Sequence, residues 1–148
     1  MNRGAACFSI SKIRIFSVIT CICLAFPSCD DAEDEIPYVP VSKTIYLSEY
    51  PQLNIIGGVI SIGNEGVNGI ILYRESDNSF RAYERTCTHE PQGSCAVSPV
   101  NDTQIARCPC CDSEFYLSLQ GDVKKGPATR PLLQYETSFD GEKVRIFN

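Results

Sequence analysis

The 148-residue chain contains one histidine, His89, which excludes a metal site built from several imidazoles. Its first 29 residues carry no acidic side chain. Its leading apolar run, Ile15 to Phe26, has twelve residues, too few to cross a bilayer as a helix. No phosphate-binding glycine loop is present: Gly57-Gly58 lacks the spacing and any following helix. There is no internal repeat and no low-complexity segment, so solenoids and repeat arrays are excluded. Helical periodicity is almost wholly missing, which excludes a bundle. The length allows one domain and not two.

What is present is β-forming. Short runs rich in β-branched and aromatic residues alternate with Gly, Pro, Asn and Asp. Thr44 to Leu47 reads as a strand, and Gly57-Gly58 divides the run Asn54 to Ile62 into two short strands or a bulge. Residues 69–74 and 80–84 flank a hairpin loop at 75–79. Residues 103–107 and 114–119 flank a cysteine-rich loop, and 117–122 turns the chain again. Residues 132–137 and 143–147 pair around Asp140-Gly141. About eight short strands of this kind predict an all-β fold, a small antiparallel stacked-sheet domain over residues 43–148.

The N-terminus reads as a leader. Arg3, Lys12 and Arg14 precede the apolar run, a basic and then a hydrophobic region of signal-peptide length over residues 1–28. Phe26-Pro27-Ser28-Cys29 resembles a bacterial lipobox, in which Cys29 is lipid-modified; a plain secretory signal is the alternative. Either implies export to an oxidising compartment, where disulfides persist. Residues 29–42 then form a tether. Five carboxylates in the six residues 30–35 repel one another and stay solvated. This run resembles the acidic export tag of surface lipoproteins in some Gram-negative bacteria, implying a protein of the cell envelope anchored to the outer membrane or cell surface through lipid alone. From Asp30 onward ten basic residues face eighteen acidic ones. A surface so acidic argues against nucleic acid as a partner.

Nine cysteines are distributed unevenly. Cys7, Cys21 and Cys23 lie in the leader, and Cys29 ends it. Five remain in the body: Cys87, Cys95, Cys108, Cys110 and Cys111. An odd number cannot all pair within one chain. Three thiolate ligands with one disulfide would use all five; two disulfides with one spare thiol is the other solution. The chemistry concentrates in Cys87-Thr88-His89 and Cys108-Pro109-Cys110-Cys111-Asp112-Ser113, separated by the eighteen residues 90–107. Two ligand-bearing loops at that spacing can close on one metal centre.

These two motifs resemble the Rieske [2Fe–2S] domain, in which Cys-x-His is followed by Cys-x-x-His within a Cys-Pro-Cys-His-Gly-Ser loop. The resemblance implies ligation by Cys87, His89, Cys108 and Cys111, with Cys111 standing where the family has its second histidine. It implies a Cys95–Cys110 disulfide joining the loops, and a proline loop at Gly126-Pro127-Ala128 shielding the cluster. Ser113 matches a serine that donates to a bridging sulfide, Phe115 stands where high-potential members have tyrosine, and Asp112 stands where they have glycine. The implied role is one-electron transfer to a redox protein partner, as a carrier more than a complete enzyme, at a potential below Rieske values. Three other readings fit the residues: zinc held by the same Cys3His set, a thioredoxin-like redox Cys-x-x-Cys at 108–111, and a cluster-free structural or interaction lipoprotein stapled by disulfides. The strand-like run that follows Cys111 argues against the second.

Overall fold

The structure is a computed structural model that describes residues 35–101 and 103–148. The leader, the three leader cysteines, the lipidation candidate Cys29 and most of the acidic run lie outside the described residues.

The strands are β1 (Ser42–Tyr46), β2 (Val59–Ile62), β3 (Ile70–Arg74), β4 (Phe80–Glu84), β5 (Ser98–Pro99), β6 (Ile105–Arg107), β7 (Glu114–Tyr116), β8 (Asp122–Lys125), β9 (Gln134–Phe139) and β10 (Lys143–Phe147). Every pairing is antiparallel. No α-helix occurs among the described residues. Six strands form one sheet in the order β1-β10-β9-β4-β3-β2, and four form a smaller one in the order β5-β6-β7-β8.

The side-chain alternation of β3 shows how the layers are built. Successive residues of a strand face opposite ways, yet Ile70, Ile71, Leu72 and Tyr73 are all buried. Ile70 and Leu72 join a core made entirely by the larger sheet and its connections, with Ile45, Phe80, Tyr135, Val144 and Ile146. Ile71 and Tyr73 face the other way, into a second core with Tyr83, Val97, Ala106, Phe115, Leu117 and Leu132. The second core joins the small sheet to β2, β3 and β4, and it contains Cys87 and Cys108. The metal-ligand candidates are thus rooted in packed hydrophobic structure.

Two sequence expectations need correction. Residues 54–58 form no strand: Pro51–Asn54 is a 3-10 turn, and Ile55 and Ile56 stand exposed before the chain enters β2. The proline at the head of this segment fixes φ and favours the turn. Strand β8 was not foreseen, because Asp-Val-Lys-Lys offers one apolar residue and three solvated ones. It is an edge strand, whose charged residues also discourage pairing with another chain. Between β7 and β8 the chain turns at Gly121, where φ is +75° and a Cβ would press on Leu132 and Tyr83. Only glycine serves there without displacing the second core.

Candidate metal centre

Two loops and a third segment meet at the edge of the second core. The first loop leaves β4 and is pinned at its base by an isolated bridge between Thr86 and Ala96. Inside it, the Cys87 N–H donates to the Cys95 carbonyl at 3.2 Å and the Glu90 N–H to the Cys87 carbonyl at 3.2 Å. The Thr88 hydroxyl donates to the Arg130 carbonyl at 2.7 Å, which fastens the loop to the segment beyond the proline.

The second loop caps the β6–β7 hairpin. The Cys108 N–H donates to the Ser113 carbonyl at 2.9 Å and the Asp112 N–H to the Cys108 carbonyl at 3.0 Å. Asp112 closes this turn in the left-handed region, at φ +58°. An L-residue is strained there, and aspartate is among the few that visit it readily, so the conformation survives the absence of glycine. Below the loop, Glu114 binds both Arg107 and Lys124 across the three strands. Lys124 and Arg107 push its carboxyl down to about 2, so the anchor keeps its charge over the whole physiological range.

The third segment is Gly126-Pro127-Ala128, with a cis peptide before the proline. The Ala128 N–H donates to Ser113 Oγ at 2.9 Å, tying the proline segment to the cysteine loop.

The five body cysteines gather where these segments meet. Cys95 and Cys110 are disulfide-bonded and join the first loop to the second. Cys87, Cys108 and Cys111 are free thiols whose sulfurs all lie within 4.8 Å of one another. Within this trio the Cys87 and Cys111 sulfurs stand 3.6 Å apart. Cys108 also lies 3.6 Å from the Cys95 sulfur. His89 is exposed and lines the same pocket as the five cysteines and Glu90, but it is not part of the close sulfur trio.

Burial sorts the thiols. Cys87 and Cys108 are each 1% exposed, whereas Cys111 is half-buried. Burial, reinforced by the neighbouring Cys108 and Cys111 sulfurs, pushes the Cys87 thiol up to about 12, against the lowering effect of the His89 N–H. Burial also raises Cys111, but hydrogen bonds from the Ser113 side chain and backbone, with those from the Cys108 and Cys87 thiols, together outweigh it and leave that thiol below its usual value. Ser113 Oγ stands 3.1 Å from the Cys111 sulfur. The residue expected to serve a bridging sulfide is here engaged with Cys111 and Ala128. Phe115 is fully buried below the loop and has no hydroxyl to offer.

Sequence reasoning missed the polar network behind the first loop. Glu84, at the end of β4, is fully buried and accepts from the N–H groups of Val67, Asn68 and Thr86. Asn68 in turn reaches Thr86 Oγ1 at 3.0 Å and the Gly93 carbonyl at 3.2 Å. One cue was legible: a carboxylate ending a strand three residues before the first ligand candidate.

The donor chemistry suits an iron–sulfur group. Soft thiolates hold iron–sulfide centres, and imidazole can replace thiolate on one iron. Three unpaired thiols and one imidazole line one pocket, while the other two cysteines are used in clasping its walls.

Comparison with known proteins agrees. The plasma-membrane Rieske protein PetC3 of the cyanobacterium Synechocystis PCC 6803 is 25% identical, with a TM-score of 0.52 over 74% of this chain and 98% of that one. The ferredoxin of carbazole 1,9a-dioxygenase from Nocardioides aromaticivorans IC177 is 17% identical, with a TM-score of 0.50 over 74% of this chain and 97% of that one. A chain from the complex of reduced oxygenase and oxidized ferredoxin in carbazole 1,9a-dioxygenase is 23% identical, with a TM-score of 0.50 over 72% and 93%. The two lower identities show a shared fold. A comparison with curated proteins gives no match. The family model of the Rieske [2Fe–2S] domain matches residues 45–136, which take in the whole small sheet, β2, β3 and β4 of the larger one, both cysteine-bearing loops and the proline segment. The chain therefore belongs to the Rieske [2Fe–2S] domain family, an all-β iron–sulfur electron-transfer fold whose cofactor is a [2Fe–2S] cluster.

Proposed function

We propose that this protein is a one-electron carrier whose cluster is held by Cys87, His89, Cys108 and Cys111, three thiolates and one imidazole. The observation that carries the reading is the segregation of the cysteines. Two are consumed in a disulfide at the rim, and three free thiols converge beside the histidine. When bound, the cluster accepts and returns single electrons. The chain's own residues do the rest. Cys87 and Cys108 anchor the site in the second core, and their burial limits water at the sulfur. Ser113 donates its hydroxyl proton to the Cys111 thiolate, which as an anion has none to give, while its oxygen accepts the Ala128 N–H. His89, exposed at the pocket, is the ligand through which an electron passes to a redox protein partner.

The test is direct. Protein purified without oxygen, or supplied with ferrous iron and sulfide, should be brown, carry two irons and two labile sulfides per chain, and give an EPR signal on dithionite reduction. A colourless chain with zinc would replace the cluster with a single tetrahedral ion. A colourless, metal-free chain with two disulfides would make it a stapled scaffold.

We further propose export and lipid anchoring at Cys29 on the cell envelope, supported by the basic and apolar leader and the acidic run behind it. A radiolabelled fatty acid should enter the wild type and not Cys29→Ser. Labelling of both, or of neither, removes the anchor.

A further inference from the structure

The substitution of cysteine at position 111 gives this site a chemistry that histidine there could not. The Cys87 and Cys111 sulfurs are 3.6 Å apart, both free and both on the metal-facing trio. They lie on different loops, twenty-four residues apart, so one covalent bond between them would join the two halves of the site. Cys111 is half-buried and Cys87 is 1% exposed, which sets the order of events.

We infer that Cys87 and Cys111 form a reversible disulfide in the cluster-free protein, with a low-molecular-weight or protein disulfide as oxidant, and that this bond shuts the site against cluster loading. The more exposed Cys111 sulfur attacks the external disulfide RS–SR. A Cys111–SR bond forms and one RS⁻ leaves, to be protonated to RSH. The Cys87 sulfur then attacks Cys111, the Cys111–SR bond breaks, and the second RSH departs. The two cysteines lose two electrons and two protons in all, and the external disulfide gains them. A dithiol reductant runs the sequence backwards. The bond itself rests on geometry; the shutting of the site rests on the ligand assignment proposed above.

Cleavage after Arg85, Arg107 and Lys124 makes the bond readable. Cys87 and Cys95 then lie on fragment Thr86–Arg107, and Cys108, Cys110 and Cys111 on Cys108–Lys124, the two held together by the rim disulfide. The iron-free full chain is treated anaerobically with oxidised glutathione, its free thiols are alkylated, and it is cleaved and weighed without reduction. We expect the joined pair to carry one alkylatable thiol after treatment where the untreated pair carries three, Cys87, Cys108 and Cys111. Cys108→Ser should fall from two to none, and Cys111→Ser should keep its two. The oxidised wild type should stay colourless with ferrous iron and sulfide until a dithiol is added, whereas Cys111→His should load with or without the glutathione treatment. Three alkylated thiols after treatment, two kept in Cys108→Ser, or an oxidised wild type that loads as fast as the reduced one would each overturn the inference. If the bond forms but the reduced wild type never takes up iron and sulfide, the electron-carrier reading fails and the disulfide stands.

Discussion

Cys111→His is expected to raise the midpoint potential of the reconstituted protein by on the order of 200 mV, from a wild-type value in the range of about −150 to −400 mV. A thiolate adds a negative charge that a neutral imidazole does not, and that charge favours the oxidised cluster. All-cysteine plant-type ferredoxins sit near −400 mV, and sites with two histidines on one iron range from about −150 to +300 mV. A Cys3His site stands one substitution from each. The surroundings act in the same direction. Phe115 offers no hydroxyl to a ligand sulfur, and Ser113 supplies the one hydroxyl at the Cys111 sulfur among the described residues. Each hydrogen bond to a ligand sulfur spreads its charge and raises the potential, so a site with few of them stays low. Protein-film voltammetry of the two proteins reads the difference directly. An unchanged midpoint would mean that residue 111 stands off the iron, and a wild-type potential well above zero would contradict the Cys3His assignment.

The candidate site was legible in the sequence to an unusual degree, for a physical reason. Metal ligands and disulfides demand particular side chains at short spacings, and those spacings survive translation into loops. Cys87-x-His89 and Cys108-x-x-Cys111 could be read as letters, as could the hairpin at Glu75–Ser79 and the turn at Asp140-Gly141 that joins β9 to β10. The Cys95–Cys110 bond follows the family pattern and is present in the structure. What escaped was whatever depends on distant partners. Strand β8 is solvated along most of its length and owes its existence to β7. Strand β5 is two residues long and contains a proline, so its own sequence argues against it. Ile55 and Ile56 suggested a strand and have no neighbour to pair with, so they remain exposed. Glu84 ends a hairpin strand, yet the phenol that donates to it, Tyr135, is fifty-one residues away. Tyr135 is at once a core residue and a donor.

Glu84→Ala is expected to cost about 3–5 kcal/mol of folding stability. The carboxylate is fully buried and accepts five hydrogen bonds: from the N–H groups of Val67 (2.8 Å), Asn68 (2.9 Å) and Thr86 (2.9 Å), the Thr86 hydroxyl (2.8 Å) and the Tyr135 hydroxyl (2.7 Å). Removing it strands these donors without water, at a cost of about 1–3 kcal/mol for each group that finds no substitute. Gly66 packs so closely on this network that a Cβ there would meet the carboxylate and the Tyr135 hydroxyl. A chain of this size should melt about 6–20 °C lower. The damage reaches the metal site because Thr86, which loses two of its bonds, adjoins Cys87. The pH dependence separates a lost charge from lost packing. Burial, the largest influence on Glu84, raises its carboxyl; the Tyr135 hydroxyl and the three N–H groups together outweigh burial and leave it below the usual value. A carboxyl held low in the folded state contributes stability that is fully present above its unfolded pKa of about 4.3 and drains away as pH falls through the folded value. Glu84→Gln keeps the shape and removes the titration. Its stability, measured by urea unfolding from pH 7 to pH 3, should begin lower than wild type and fall less steeply through the acid range. Parallel curves would show a carboxyl whose pKa is the same folded and unfolded, and a wild type that falls less steeply than Glu84→Gln would show one held neutral; either result would mean that its network is not the charged anchor of the first ligand loop.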